Sequence, residues 1–135
     1  MPGGQLRRRQ LSTDLVGTWV ANVSASRQHP LHEYLAAKLE FAVDGELVTI
    51  DDLVIDEVGR PERTRNVLQA DGQAHPTEQG YVVIARWRGA RVLEAEVTRE
   101  GALEGRVTYE VSADGQTLTV TAGEQVGVFD RQHLN

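Results

Sequence analysis

Between positions 103 and 112 the chain alternates with a period of two: Leu103, Gly105, Val107, Tyr109 and Val111 stand against Glu104, Arg106, Thr108, Glu110 and Ser112. Successive side chains of an extended strand point to opposite faces, so this pattern describes a strand with one dry face and one wet face. The preceding segment behaves alike, with Leu93, Ala95 and Val97 opposed to Glu94, Glu96 and Thr98. Strands of this kind belong to an antiparallel sheet covered on one side and exclude a parallel sheet covered on both.

Apolar and β-branched runs of strand length recur along the chain, near 15–21, 37–43, 46–57, 62–70, 81–88, 91–99, 103–112, 117–122 and 125–131. Asp44-Gly45, Asp71-Gly72, Arg88-Gly89 and Asp114-Gly115 lie between them and tolerate the positive φ that tight antiparallel turns require. The expected fold is all-β: a single up-and-down antiparallel β-barrel of eight to nine strands. Closure is expected because it removes the exposed edges of so long a meander. One short helical segment is expected after the first strand, over 30–37. Pro30 suits its start, and Leu31, Tyr34 and Leu35 fall on one stripe. Two turns give a lid or plug rather than a layer.

A chain of 135 residues suits one domain, read here as a flexible N-terminal tail over 1–13 and a barrel over 14–135. The absence of cysteine removes disulfides, thiolate metal sites and thiol nucleophiles together. A net charge of −6 argues against a nucleic-acid partner, since a polyanion is bound by clustered Lys and Arg. The one basic cluster, Arg7, Arg8 and Arg9, reads as a solvated end. No apolar run approaches the roughly 18 residues of a membrane span. The first ten residues carry positive charge without an apolar stretch behind it, so no secretory signal is read and a cytoplasmic protein is expected.

The run Asp14-Leu-Val-Gly17-Thr-Trp19 resembles the Gly-x-Trp opening strand of the calycin superfamily, which includes lipocalins and intracellular fatty-acid-binding proteins. Val126-Gly-Val-Phe-Asp-Arg131-Gln is similar to the closing strand of the fatty-acid-binding branch, and residues 15–37 resemble its passage from first strand into a helical lid. The hairpin Ser112-Ala-Asp-Gly-Gln-Thr-Leu-Thr-Val-Thr121 looks closer still to a bacterial lipocalin-like group. The resemblance implies that Trp19 closes one end of the barrel beneath Arg131. It also implies a departure: fatty-acid binders clamp a carboxylate with an Arg-x-Tyr pair on the last strand, and the matching positions here are Gly127 and Phe129. Burying a carboxylate without a charged partner is costly, so a fatty acid in the usual orientation is not expected.

The residues expected to line a ligand cavity are Phe41, Trp87, Tyr109 and Phe129. Trp87 reads as core, rim or pocket wall, and Tyr109 as the polar handle, because a buried phenol needs a hydrogen-bond partner. A barrel filled by its own side chains remains an equal alternative to a hollow one. His29, His32 and Glu33, with distant His75, do not have zincin spacing, and no metal site is assigned. Asp51, Asp52, Asp56 and Glu57 read as a solvated strand edge; Asp51 and Asp52 point oppositely and cannot form a catalytic dyad. No catalytic residue and no cofactor is called.

The leading expectation is a non-catalytic binder of a small, mostly apolar, uncharged molecule, with a small hydrophobic ligand as partner. Two alternatives remain open. One is a barrel enzyme of isomerase or cyclase type, marked by a perturbed inward group such as Tyr109 beside a cavity. The other is a solid-barrel interaction or structural module, with a homo-oligomer among its forms.

Overall fold

The computed structural model describes residues 13–22 and 34–132, the side chain of Tyr34 excepted. Ten strands and no helix occur among them: β1 (Gly17–Ala21), β2 (Tyr34–Asp44), β3 (Leu47–Asp56), β4 (Pro61–Gln69), β5 (Ala74–Pro76), β6 (Val82–Trp87), β7 (Val92–Arg99), β8 (Ala102–Val111), β9 (Thr117–Ala122) and β10 (Gln125–Arg131). All lie in one sheet, in the order β4-β3-β2-β1-β10-β9-β8-β7-β6-β5. Every neighbour is antiparallel, and the pairing of β1 with β10 joins the two ends of the chain. The result is a nearly closed up-and-down barrel. Its one seam runs beside β4, which passes close to β6 without pairing to it.

Three expectations need correction. The strand count is ten rather than eight to nine, because Ala74–Pro76 pairs with β6 through His75 and Val83. That tripeptide has no β-branched residue and contains a proline, so only its partner reveals it as a strand. The helical segment over 30–37 is not a helix where it is described: Tyr34 to Ala37 open β2 and pair with β3. A two-turn helix is marginal alone, and the long ladder to β3 outcompetes it. Residues 30–33, and the tail over 1–12, lie outside the described residues.

The third correction concerns turns and faces. Gly45, Gly72, Gly89 and Gly115 all have positive φ, as their turns require. Asp71-Gly72, however, makes no hairpin; it carries the chain across the seam, with the Gly72 amide donating to Ala85 O at 2.8 Å. The alternation of β8 also breaks near its start. A bulge pairs Val97 with Gly105 but Thr98 with Leu103, which moves Leu103 from the inner to the outer face and leaves it 55% exposed.

One end of the barrel is packed solid. Leu15, Trp19, Val48, Leu93, Val111 and Leu118 are fully buried there, each contributing about 1.5–3 kcal/mol through the apolar surface it removes from water. The Trp19 indole N–H donates to Leu15 O at 2.9 Å. Above the ring lies the Arg131 guanidinium, 4.1 Å from its centroid, as the resemblance implies. Arg131 also donates from Nε to Gly115 O at 2.7 Å, from Nη1 to Val16 O at 2.9 Å and from Nη2 to Asp14 O at 2.6 Å. One side chain thereby ties the last strand to the segment before the first strand and to the β8–β9 turn. Thr13, at the end of the expected tail, is held by its hydroxyl donating to Ala90 O at 2.8 Å.

Candidate functional site: the inner wall and open end of the barrel

Residues directly opposite each other in a ladder share a face, so register determines what the barrel encloses. The row Trp87, Leu93, Tyr109, Val120, Gly127 faces inward, because Leu93 is fully buried. The next row, Ala85, Ala95, Val107 and Ala122, carries smaller side chains. The one beyond, Val83, Val97 and Gly105, is smaller still at its last position. Ala85 and Ala95 are buried, but Val83, Val97 and Val107 are only half-buried. A Cβ added at Gly105 would meet no described atom within 4 Å. The inner wall therefore carries large buried side chains near Trp19 and smaller, mostly half-buried ones on the rows beyond.

Phe41 and Tyr109 meet inside. Their rings, on the unpaired strands β2 and β8, lie edge to face with centroids 5.4 Å apart, so the contact crosses the interior. Phe41 is buried and Tyr109 nearly so, and the Tyr109 hydroxyl has no hydrogen-bond partner among the described residues. Burial, and secondarily the charge of Asp52, pushes its ionisation up to about 12. Trp87 shares the Tyr109 row and packs half-buried against the core. Phe129 is buried, paired with Ala21 and Leu118, and its ring lies over Gly127 of the Tyr109 row. The structure thus sets Phe41 against Tyr109, Trp87 on the Tyr109 row and the Phe129 ring over the glycine of that row.

The polar part of the wall comes from β3 and β4. Asp52 pairs with buried Leu39 on one side and Thr64 on the other, so it faces inward between Ile50 and Val54. Asn66 and Glu62 flank Thr64 on the same face. Burial raises the Asp52 carboxyl above its ordinary range, and the neighbouring Glu62 charge raises it further. The reading of Asp51 to Glu57 as a strand edge is wrong, because β3 lies between β2 and β4. Asp51 does face out, where Arg65 Nε donates to its carboxylate at 2.7 Å, and Asp56 caps the following turn through the amides of Val58 and Arg60.

Asp52 and Glu62 were not legible as site residues. Apolar residues occupy both parities around Asp52, and β4 is polar on both faces, so only the ladder to Leu39 assigns their direction.

Two depressions lie among the described residues of β2 to β6. A pocket of about 210 Å³ opens at the seam, lined by Val67, Leu68, Gln69, His75, Pro76 and Val83 among others. His75 is engaged there by Asp71, whose carboxylate lies 2.9 Å from its Nε2, and the described residues hold no cluster suited to a metal; His29, His32 and Glu33 lie outside them. The other, about 460 Å³, lies on β2 to β4 among Lys38, Asp51, Asp52, Arg63, Thr64 and Arg65.

Fold and site together define a class: a ten-stranded, nearly closed meander barrel with an apolar core. Solved structures resemble it in fold. A REP1-NXSQ fatty acid transporter superposes with a TM-score of 0.60 at 14% identity, covering 90% of this chain and 98% of that one. A Schistosoma mansoni fatty acid binding protein in complex with arachidonic acid gives 0.56 at 11% identity, with 89% and 97% covered. Wild-type fluorescent protein UnaG gives 0.55 at 16% identity, with 87% and 96% covered. At these identities the likeness is one of fold. No protein-family description matches the sequence, and no curated protein matches it. Among the described residues no helix is long and apolar enough to cross a membrane.

Proposed function

We propose that the chain is a non-catalytic binder of a small, mostly apolar, uncharged molecule, held inside the barrel against Phe41, Trp87 and Tyr109. The observation that carries this reading is the inner wall itself: its side chains shrink from Tyr109 through Val107 to Gly105, all three half-buried, and a Cβ at Gly105 would meet no described atom within 4 Å. The fold neighbours named for fatty acids support a hydrophobic ligand. The wall here differs from an anion site, since Gly127 and Phe129 bear no charge and Asp52 and Glu62 would repel a carboxylate. We read the barrel domain as 14–135. Its Gly17-Thr-Trp19 and Ser112–Thr121 segments favour the bacterial lipocalin-like group of the calycins.

Native mass spectrometry of the folded protein beside its denatured mass tests this. The expected result is a discrete extra mass that denaturation releases, together with a higher melting temperature when the recovered compound is added back, because a ligand bound only by the native state stabilises it. A bare mass, with no thermal shift across a library of apolar compounds, would refute the binding role and favour a structural or interaction module.

A further inference from the structure

The seam beside β4 is a slot with apolar sides and polar groups left over. Leu68 pairs with the fully buried Val48, and His75 pairs with Val83, so Leu68, His75 and Val83 share the inward face, while Leu47, Val67 and Pro76 stand on the alternate, outer positions. Between them lies the pocket of about 210 Å³. An apolar cavity of roughly 150 Å³ already holds one benzene ring, so this one is sized for a single small ring. The Ala70 amide donates to Glu46 O at 2.7 Å. Bonded pairs alternate along an antiparallel ladder, so the main-chain groups of Val67 and Gln69 turn away from β3 toward the seam, where they have no partner among the described residues. His75 supplies a further polar group. Its Nε2 lies 3.0 and 2.9 Å from the two carboxylate oxygens of Asp71. The Gln73 amide, and after it His75, hold the Asp71 carboxyl below the usual carboxylate range, so Asp71 only accepts and the ring proton sits on Nε2. A neutral imidazole fixed in that tautomer keeps Nδ1 as an acceptor, made more basic by the carboxylate behind it, and Nδ1 has no partner among the described residues.

We propose that the seam pocket is a second binding site, for one small uncharged ring bearing a hydroxyl, a phenol being the simplest, with the ring against Leu68, Pro76 and Val83 and its O–H donating to His75 Nδ1. The site is distinct from the wall of Phe41, Trp87 and Tyr109 and does not depend on the binding reading above. Donation to Nδ1 leaves the hydroxyl oxygen free to accept from the unpaired edge of β4, so one group answers both the imidazole and the strand. An aromatic ether of the same shape brings the same apolar surface but no donor, and it forfeits the hydrogen bond to Nδ1.

The test is an NMR titration of the isotope-labelled full chain with p-cresol and with p-methylanisole, at mildly alkaline pH, where an ordinary imidazole is neutral. The cresol is expected to shift the His75 ring nitrogens and the amides of Val67, Leu68 and Val83 with a Kd of about 1 mM or tighter, and to bind about 3-fold or more tightly than the ether. His75→Phe keeps a flat ring in place and identifies the His75 signals; it should bring the cresol down to the affinity of the ether. Asp71→Asn, whose carboxamide no longer dictates which ring nitrogen holds the proton, should lose part of the same preference. Equal affinities of cresol and ether for the unsubstituted protein overturn the inference without recourse to any variant. So do shifts confined to the Val107 and Tyr109 rows, which put the ring inside the barrel and leave the function proposed above standing. If neither compound moves a resonance at the seam up to about 10 mM, the second site fails, while the barrel reading is decided separately by its own mass measurement.

Discussion

A Cβ on Gly17 would lie 2.9 Å from Nη1 of Arg131, the nitrogen that donates to Val16 O. Gly17 has φ of +128°, a region almost closed to other residues, so backbone and contact make the same demand. The Gly-x-Trp spacing follows: a glycine lets the guanidinium pass, and the indole two residues on receives it. Gly17→Ala is expected to cost about 1–3 kcal/mol, read as a lower urea midpoint with unchanged slope. An unchanged midpoint would show that the closed end accommodates a side chain there.

Arg131→Ala removes a cation from the Trp19 face and strips partners from three carbonyls. The expected loss is about 2–4 kcal/mol, because the cation–π contact and each hydrogen bond are individually modest but converge on one side chain. Arg131→Lys should recover only a small part, since one ammonium cannot reproduce a planar fork reaching Asp14, Val16 and Gly115 together. Equal stability of the lysine variant and the parent, measured by urea unfolding, would rule out the geometric argument.

Gly105 sits on the inner face of β8 with open space before it, unlike Gly17. Gly105→Leu is expected to keep or slightly raise stability, because glycine weakens a strand interior by roughly 0.5–1 kcal/mol. It should also weaken binding of an apolar ligand by about 10-fold or more by occupying its space. Calorimetric titration of the variant decides the matter; undiminished affinity would place the ligand elsewhere.

Tyr109 keeps its proton to about pH 12 in the folded protein, against an ordinary 10.0. Between those values the native state holds a proton that the unfolded chain releases. Stability from this residue is therefore intact below pH 10.0 and falls as pH rises through the window toward about 12. Tyr109→Phe should flatten that decline in unfolding measurements made across the alkaline range. If both proteins decline alike, Tyr109 is not buried as described.

The closed half of the molecule was largely readable from residues. Alternation in β7 and β8 rests on short-range pattern, which hydrophobic burial enforces because a one-residue slip would expose every core side chain; the placement of Arg131 over Trp19 followed from the family resemblance of the Gly-x-Trp run. Phe41 and Tyr109 followed from the same parity. The reading failed where a partner strand overrides local preference: Ala74–Pro76 became a strand through β6, Tyr34 to Ala37 joined β2 through β3, and Leu103 was turned outward by one bulge.

The sequence by itself determined that this chain forms an antiparallel sheet with one apolar face and ends that meet, since periodicity and turn residues are local properties. Only the tertiary structure decided where the seam falls, how side-chain size is graded along the inner wall and that Asp52 shares the inward face of Leu39. Those features depend on register between strands distant in the chain, and on summed side-chain volume around a closed wall, neither of which any local window of residues contains.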